Sequence, residues 1–233
     1  YAFGPLEADS PRWRRLTDPT IPAAIDVGRT AGGYPVARHT YDSLQYRPES
    51  NTMLAVGAAG YYQLGYVFHQ ADVFDFDADP QTGNPWSTAD TGYPAFDGGG
   101  YGSINLLSAR DPASGSIWGL GQGNAQRIGR YTTAGVWSSW YIDNAPGATN
   151  SKAAIGQGLF VFVNNAGAVV AIDISGTSPG ALYTPTVSGS GPAGGGVCVE
   201  WDAVGGRFVV WKGGGGKTLY FLTPGANPAA GGD

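Results

Sequence analysis

Four strand–turn–strand segments recur along the chain, and each stands close to one or more glycines. The first joins Ser43–Tyr46 to Met53–Val56 through the polar turn RPESN. The others are SINLLSARDPASGSIWGLG (103–121), AAIGQGLFVFV (153–163) and GVCVEWDAVGGRFVVWKGGGG (196–216). Short apolar runs separated by turn-forming residues predict β-hairpins. A repeated antiparallel hairpin is therefore the unit from which this chain is built.

Glycine and proline together occupy 55 of the 233 positions (39 Gly and 16 Pro), and both residue types disfavour a regular helix. Aromatic residues still account for 12% of the chain, whereas disordered chains are poor in them. This combination predicts an all-β protein of many short strands joined by tight turns. The formal net charge of −5 and the small charged fraction, 13%, argue against a phosphate-binding surface, so no nucleic-acid partner is predicted.

Each hairpin is followed by a third apolar segment, and most continue to a short fourth one. The third segments are DVFDFD (72–77), RIGRY (127–131), AVVAIDI (168–174) and TLYFL (218–222), and the fourth are NPWS (84–87), VWSSWYI (136–142) and ALYTPT (181–186). A four-stranded sheet with apolar residues on both faces needs a neighbour on each side. The repeat therefore predicts a β-propeller of four-stranded antiparallel blades, with Trp13, Trp86 and Trp137 packing between blades near the fourth strands.

The segment 38–86 carries the most specific pattern. It contains RHTYDSLQY (38–46), MLAVGAAG (53–60), DVFDFD and Trp86 in that order. In this order it resembles the kelch repeat of the galactose-oxidase-like propellers. Gly57-Ala58 stands where the kelch repeat usually has two glycines, and the later repeats share strand order rather than signature residues. The resemblance implies the propeller architecture for most of the chain and the kelch motif for about one blade.

This sequence does not contain the copper site of the oxidases with this fold. That site uses two histidines, two tyrosines and a cysteine joined to one of the tyrosines. His39 and His69 are the only histidines here, and neither stands beside a tyrosine as in that family. Cys198, the single cysteine, lies in an apolar strand and is interpreted as a packed thiol, so no intrachain disulfide is possible. No cofactor is predicted.

The repeat predicts one propeller domain over residues 1–233. Its parts are a partial blade at 1–18, three blades at 38–90, 101–142 and 152–187, and a partial blade at 193–233. About four to five blades are thus visible, and we expect them to belong to a larger ring. The sequence opens on YAFG, which resembles the middle of a strand, and it has no initiator Met. We therefore expect it to be a processed or incomplete piece of a longer product. Alternatively, the strands at one terminus complete the partial blade at the other terminus. This would close a ring of four blades, with Tyr1–Gly4 left outside it.

Two long glycine-rich connections, 57–70 and 87–102, are the predicted ligand face. In a propeller, connections between the second and third strands, and between the fourth strand and the next blade, emerge on one face. Aromatic side chains concentrated there could stack against a sugar ring or a partner surface. The alternative is that they pack within their own loops. The candidate ligand-binding residues are Tyr61, Tyr62, Tyr66, His69, Tyr93, Phe96 and Tyr101.

The sequence holds no convincing catalytic or metal motif. Asp75, Asp77 and Asp79 alternate as in a calcium loop, but the glycine and glutamate of that loop are missing, so a turn is favoured and no metal site is predicted. Glycosidase chemistry needs two converging carboxylates. The acidic residues expected on the ligand face are Asp26, Asp90, Asp97 and Asp143, and none lies in a recognisable motif. Catalysis is therefore uncertain, and its absence is favoured.

These features favour a non-catalytic binding or scaffolding propeller, extracellular or on a surface, with a carbohydrate or a protein as partner. One alternative is a glycan-acting enzyme on the same fold. Another is a structural subunit of an extracellular filament or phage particle, which self-associates through unpaired blade edges. No apolar run approaches the roughly 20 residues of a membrane span.

Overall fold

A computed structural model gives the structure of the protein at residues 2–3, 13–14, 29–30, 32–35, 38–39, 42–56, 59–60, 71–79, 82–89, 106–121, 127–142, 145–146, 151–189, 191–192, 196–212 and 217–225. Within these residues the chain forms nineteen strands, and no helix there is long and apolar enough to cross a membrane. The strands are β1 (Ala2–Phe3), β2 (Trp13–Arg14), β3 (Arg38–His39), β4 (Leu44–Arg47), β5 (Thr52–Val56), β6 (Ala59–Gly60), β7 (Ala71–Asp75), β8 (Trp86–Thr88), β9 (Leu107–Arg110), β10 (Ile117–Leu120), β11 (Arg127–Tyr131), β12 (Trp137–Tyr141), β13 (Ala154–Gly156), β14 (Leu159–Val163), β15 (Val169–Asp173), β16 (Leu182–Tyr183), β17 (Val197–Asp202), β18 (Arg207–Lys212) and β19 (Leu219–Leu222).

The strands form antiparallel sheets, and within each blade the strands stand in chain order. Blades 1, 2 and 3 are four-stranded sheets with the orders β4-β5-β7-β8, β9-β10-β11-β12 and β13-β14-β15-β16. Blade 4 is the three-stranded sheet β17-β18-β19. Two further sheets, β1-β2 and β3-β6, have two strands each. The predicted repeat of four antiparallel strands in chain order is confirmed for the three complete blades, with β6 inserted between the second and third strands of blade 1.

The blades stand side by side in a propeller arrangement. Their first strands contact one another in sequence, β4 with β9, β9 with β13 and β13 with β17. The first strand of each blade is thus the innermost, and the later strands lie progressively further from the axis. The all-β propeller predicted from the sequence is confirmed. That the blades belong to a larger ring, and that residues 1–233 are one domain, remain predictions.

Apolar clusters between neighbouring blades form the core. The strand β14, LFVFV, shows why both faces of a blade must be apolar, since successive side chains of a strand point to opposite faces. Phe160 and Phe162 pack against blade 2, whereas Leu159, Val161 and Val163 pack against blade 4. All five are buried. A polar residue at any of these positions would leave unpaired polar atoms inside an interface.

The tryptophans of the fourth strands differ in their packing. Trp137 on β12 is buried in the cluster between blades 1 and 2, and its Nε1 donates a hydrogen bond to the Ala89 carbonyl oxygen at 2.7 Å. Trp86 on β8 instead packs edge-on against Phe74 of its own blade, with ring centroids 4.9 Å apart. Inter-blade packing is therefore confirmed for Trp137, while the contact observed for Trp86 lies within its blade.

Gly156 is required where blade 3 meets blade 4. A Cβ atom placed on Gly156 would come within 2.1 Å of the Trp201 ring, which lies against the glycine backbone. Because the ring is held against Phe208, with centroids 4.8 Å apart, it cannot move without repacking the interface.

We predict that Gly156→Ala lowers the free energy of unfolding by about 2–3 kcal/mol through overpacking. Chemical denaturation followed by fluorescence measures this loss. Gly83→Ala is the matched control, since a Cβ there has no neighbour within 4 Å, and its effect should stay within about 0.5 kcal/mol. Equal losses for the two variants would contradict the steric argument.

Candidate functional site

Polar residues on, or just before, the first strands of the four blades lie close together. Asp42 stands two residues before β4, and Lys152 stands two residues before β13. Ser108 lies on β9, and Cys198 and Glu200 lie on β17. We call these five residues the axial cluster. The order of strands places it at the end of the blades where β5 and β8 also end.

Asp42 links three blades through hydrogen bonds. Its Oδ2 accepts the backbone N–H of Ser108 at 3.1 Å and that of Ala153 at 3.0 Å. Its backbone carbonyl oxygen accepts a hydrogen bond from the Ser108 hydroxyl group. Gln45 of blade 1 donates to the Ser108 carbonyl oxygen at 3.0 Å. These bonds fix the entry points of blades 1, 2 and 3 relative to one another.

The environment of Asp42 opposes its ionisation. Burial raises the pKa of this carboxyl group from 3.8 to about 7, and the nearby Glu200 carboxylate adds to the rise. The N–H groups of Ala153 and Ser108 and the charge of Lys152 act in the opposite direction without cancelling the effect of burial. Asp42 therefore changes its charge near neutral pH, which an ordinary aspartate does not do.

Lys152 and Glu200 form an ion pair that reaches solvent. The Lys152 Nζ donates to Glu200 Oε1, and the two side chains are 40% and 49% exposed. Burial tends to lower the pKa of Lys152, but the hydrogen bond to Glu200 and the charges of Glu200 and Asp42 outweigh it and raise the pKa overall. The backbone N–H of Lys152 donates to the Val197 carbonyl oxygen at 3.0 Å, which anchors the lysine to blade 4.

Cys198 lies beside this pair as a half-buried free thiol. Burial raises its pKa, and the charges of Asp42 and Glu200 raise it further, while Lys152 lowers it. The thiol is therefore mostly protonated at neutral pH and unreactive. The strand position predicted for Cys198 is confirmed, whereas its neighbours include the charged groups of Lys152 and Glu200.

The axial cluster offers both hydrogen-bond donors and acceptors at the centre of the fold. The ammonium group of Lys152 donates, and the carboxylate of Glu200 accepts. Such a mixed set suits a polyhydroxylated ligand, whose hydroxyl groups both donate and accept. Among the residues given above, no group of three or more His, Cys, Asp or Glu side chains is placed to hold a metal ion.

The seven aromatic and histidine residues proposed as ligand-binding lie outside the described residues. They are Tyr61, Tyr62, Tyr66, His69, Tyr93, Phe96 and Tyr101. The acidic residues Asp26, Asp90, Asp97 and Asp143 also lie outside them. A ligand role for any of these residues remains a prediction.

Asp75 is the last residue of β7, and Asp77 and Asp79 lie in the turn that follows it. The Asp75 carboxylate accepts the backbone N–H of Asp77 at 2.8 Å, and the Asp77 carboxylate accepts a hydrogen bond from Asn51. The Asp79 carbonyl oxygen accepts the backbone N–H of Thr82 at 3.1 Å. This segment thus has the hydrogen bonding of a turn, which is the structure that the sequence favoured.

Sequence reasoning did not single out Asp42, Lys152 or Glu200. None of them belongs to a recognised motif. One signal was available, since Asp42 and Lys152 occupy the same position of the repeat, two residues before a first strand. A charged residue at that position in two blades is notable in a chain with only 13% charged residues.

Comparisons with known proteins identify no family. No protein-family model matches the chain, and no curated protein matches it. Among solved structures, the chain is similar to a structural genomics protein of unknown function from Bacteroides thetaiotaomicron, with 16% sequence identity and a TM-score of 0.44. The similarity covers 75% of this chain and 39% of that protein.

Proposed function

We propose that the protein is a non-catalytic binding propeller whose ligand docks at the axial cluster. The observation that carries this proposal is the exposed Lys152–Glu200 ion pair, which stands where the first strands of the blades meet. Rigid scaffolds position binding residues at such strand ends. The ligand class favoured is carbohydrate, because paired donors and acceptors match its hydroxyl groups and aromatic residues are predicted in the adjoining connections.

Binding to a panel of immobilised neutral oligosaccharides tests this proposal. We predict that the wild-type chain binds at least one of them and that Lys152→Ala weakens that binding at least tenfold, because the donor at the axis is lost. Lys217→Ala is the matched control, since this exposed lysine lies outside the axial cluster, and it should bind as the wild type does. Absence of binding across the panel, or equal binding by both variants, would contradict the proposal.

A glycan-acting enzyme is the second candidate, and one observation favours it. The raised pKa of Asp42, near the Glu200 carboxylate, meets part of the requirement for a general acid. Against it, the Asp42 Oδ2 is already engaged by two backbone N–H groups. The test is the release of reducing ends from the same oligosaccharides. If the wild type releases them and both Asp42→Asn and Glu200→Gln abolish the release, the protein is an enzyme and not a binding protein.

An extracellular or surface location belongs to this proposal and rests on the composition alone, which is low in charge and rich in glycine. The relationship to kelch repeats likewise rests on residues 38–86. Secretion of the natural gene product into culture medium would support the location, and retention inside the cell would contradict it.

A further inference from the structure

A cavity of about 240 Å³ lies between blades 3 and 4, beside the apolar cluster that joins them. Blade 3 contributes Val161, Ala171 and Tyr183 to its walls, and blade 4 contributes Phe208. The exposed residues 186–188, which follow β16, also line it. A small molecule can therefore reach this cavity from solvent without opening the fold.

One small side chain creates this space. Val161, Ala171 and Tyr183 face one another across β14, β15 and β16, so they form one row on the face of blade 3 that meets blade 4. Alanine at the centre of the row leaves room between two larger side chains. In blade 2 the equivalent row, on the face that meets blade 3, has Ile128 at its centre, and this larger side chain is fully buried. The cavity therefore follows from the residue at one position of blade 3.

The hydroxyl group of Tyr183 is a polar feature of the cavity wall. Its oxygen atom is buried and has no hydrogen-bond partner among the described residues. Burial and the charge of Asp173 raise the pKa of Tyr183, so the hydroxyl group stays protonated and can both donate and accept a hydrogen bond. Buried polar groups in folded proteins almost always have a partner, and an occupant with a hydroxyl group of its own would supply one here.

The walls and the volume determine which class of molecule fits. None of the described residues that line the cavity is charged, and burying an ion without a partner is costly, so a neutral occupant is favoured. An apolar cavity of about 150 Å³ holds benzene, whereas pockets for drug-sized molecules measure about 300–1,000 Å³. The volume of this cavity lies between these values and suits a single substituted ring. Phe208 and Phe221 stand in the walls, where they can pack against such a ring.

We propose that the cavity between blades 3 and 4 binds a small neutral aromatic molecule with one hydroxyl group, a compound of the phenol class. The ring occupies the space beside Ala171, and its hydroxyl group forms a hydrogen bond with that of Tyr183. This site is separate from the axial cluster, where the charged side chains of Lys152 and Glu200 suit a polyhydroxylated ligand. The proposal therefore does not depend on carbohydrate binding.

Calorimetric titration with phenol and with benzene tests the hydrogen bond. The wild type should bind both molecules. Tyr183→Phe should weaken phenol binding about three- to tenfold, the usual contribution of one hydrogen bond, and should leave benzene binding unchanged. Tyr220→Phe is the matched control, since Tyr220 is a half-buried tyrosine of blade 4 outside the cavity walls, and it should bind both molecules as the wild type does. A wild type that binds neither molecule, or equal phenol binding by the wild type and Tyr183→Phe, overturns the proposal.

Filling the cavity tests where the two molecules bind. Ala171→Ile, which introduces the residue found at the centre of the row in blade 2, should abolish binding of both phenol and benzene. Ala181→Ile is the control, because Ala181 is exposed and outside the cavity walls, and it should bind as the wild type does. Circular dichroism shows whether Ala171→Ile is folded, and binding that persists in the folded variant overturns the proposal. If this variant does not fold, the comparison of the wild type with Tyr183→Phe decides.

Discussion

Replacing Trp118 by alanine is expected to lower the free energy of unfolding by about 3–5 kcal/mol, the usual cost of removing a large buried aromatic side chain. Trp118 is 2% exposed and stacks on Trp140, with ring centroids 5.7 Å apart. The Arg130 guanidinium group lies 5.5 Å from the centre of the same ring. The variant therefore loses apolar burial, ring stacking and a cation–π contact at one site between blades 2 and 3.

The measurement is equilibrium denaturation of the wild type and the variant with the same denaturant. Tyr141→Ala is the control, because this side chain belongs to the same blade but is 69% exposed. Its contact with Arg127, 4.2 Å from the ring centre, is worth about 0.5–1 kcal/mol at an exposed site. A loss below about 1 kcal/mol for Trp118→Ala would show that the interface between blades 2 and 3 contributes little to stability.

The stabilising contribution of Asp42 is expected to fall by about 4 kcal/mol as the pH rises from 4 to 8. The pKa of Asp42 is raised from 3.8 to about 7 in the folded protein, so the folded chain binds this proton more tightly than the unfolded chain. The contribution is therefore complete below about pH 4 and is lost as the pH rises through about 7. The groups that face Asp42 are Lys152, Glu200 and Cys198.

Asp42→Asn isolates this effect, because asparagine can accept the same backbone hydrogen bonds but does not titrate. The quantity to measure is the free energy of unfolding of the wild type minus that of Asp42→Asn. This difference should decrease as the pH rises from 4 to 8. Asp202→Asn is a control of opposite sign, since the N–H of Gly205 and the side chain of Arg207 lower the pKa of Asp202. The stabilising contribution of Asp202 is present above its ordinary pKa of 3.8 and is lost only as the pH falls below it, so the difference for Asp202→Asn should not change between pH 4 and 8. A pH-independent difference for Asp42→Asn would show that Asp42 is ionised in the folded protein.

Local sequence patterns predicted the strands well and the axial cluster poorly. The short, unbroken apolar run LFVFV predicts a strand with two apolar faces, and β14 occupies the residues expected. Ile117–Leu120 and Arg127–Tyr131 also coincide with β10 and β11. Boundaries shifted where the local pattern was ambiguous. The first strand of blade 2 was expected at Ile104–Ser108, and the structure has it at Leu107–Arg110.

The sequence by itself determined that the chain forms repeated antiparallel sheets with two apolar faces, and hence a propeller. These properties follow from turn chemistry and side-chain alternation, which act over a few residues. Only the tertiary structure decided that Asp42 lies beside the backbone of Ser108 and Ala153, which are 66 and 111 residues away. The raised pKa of Asp42 arises from burial where the blades meet, so its physical cause is absent from any short stretch of the chain.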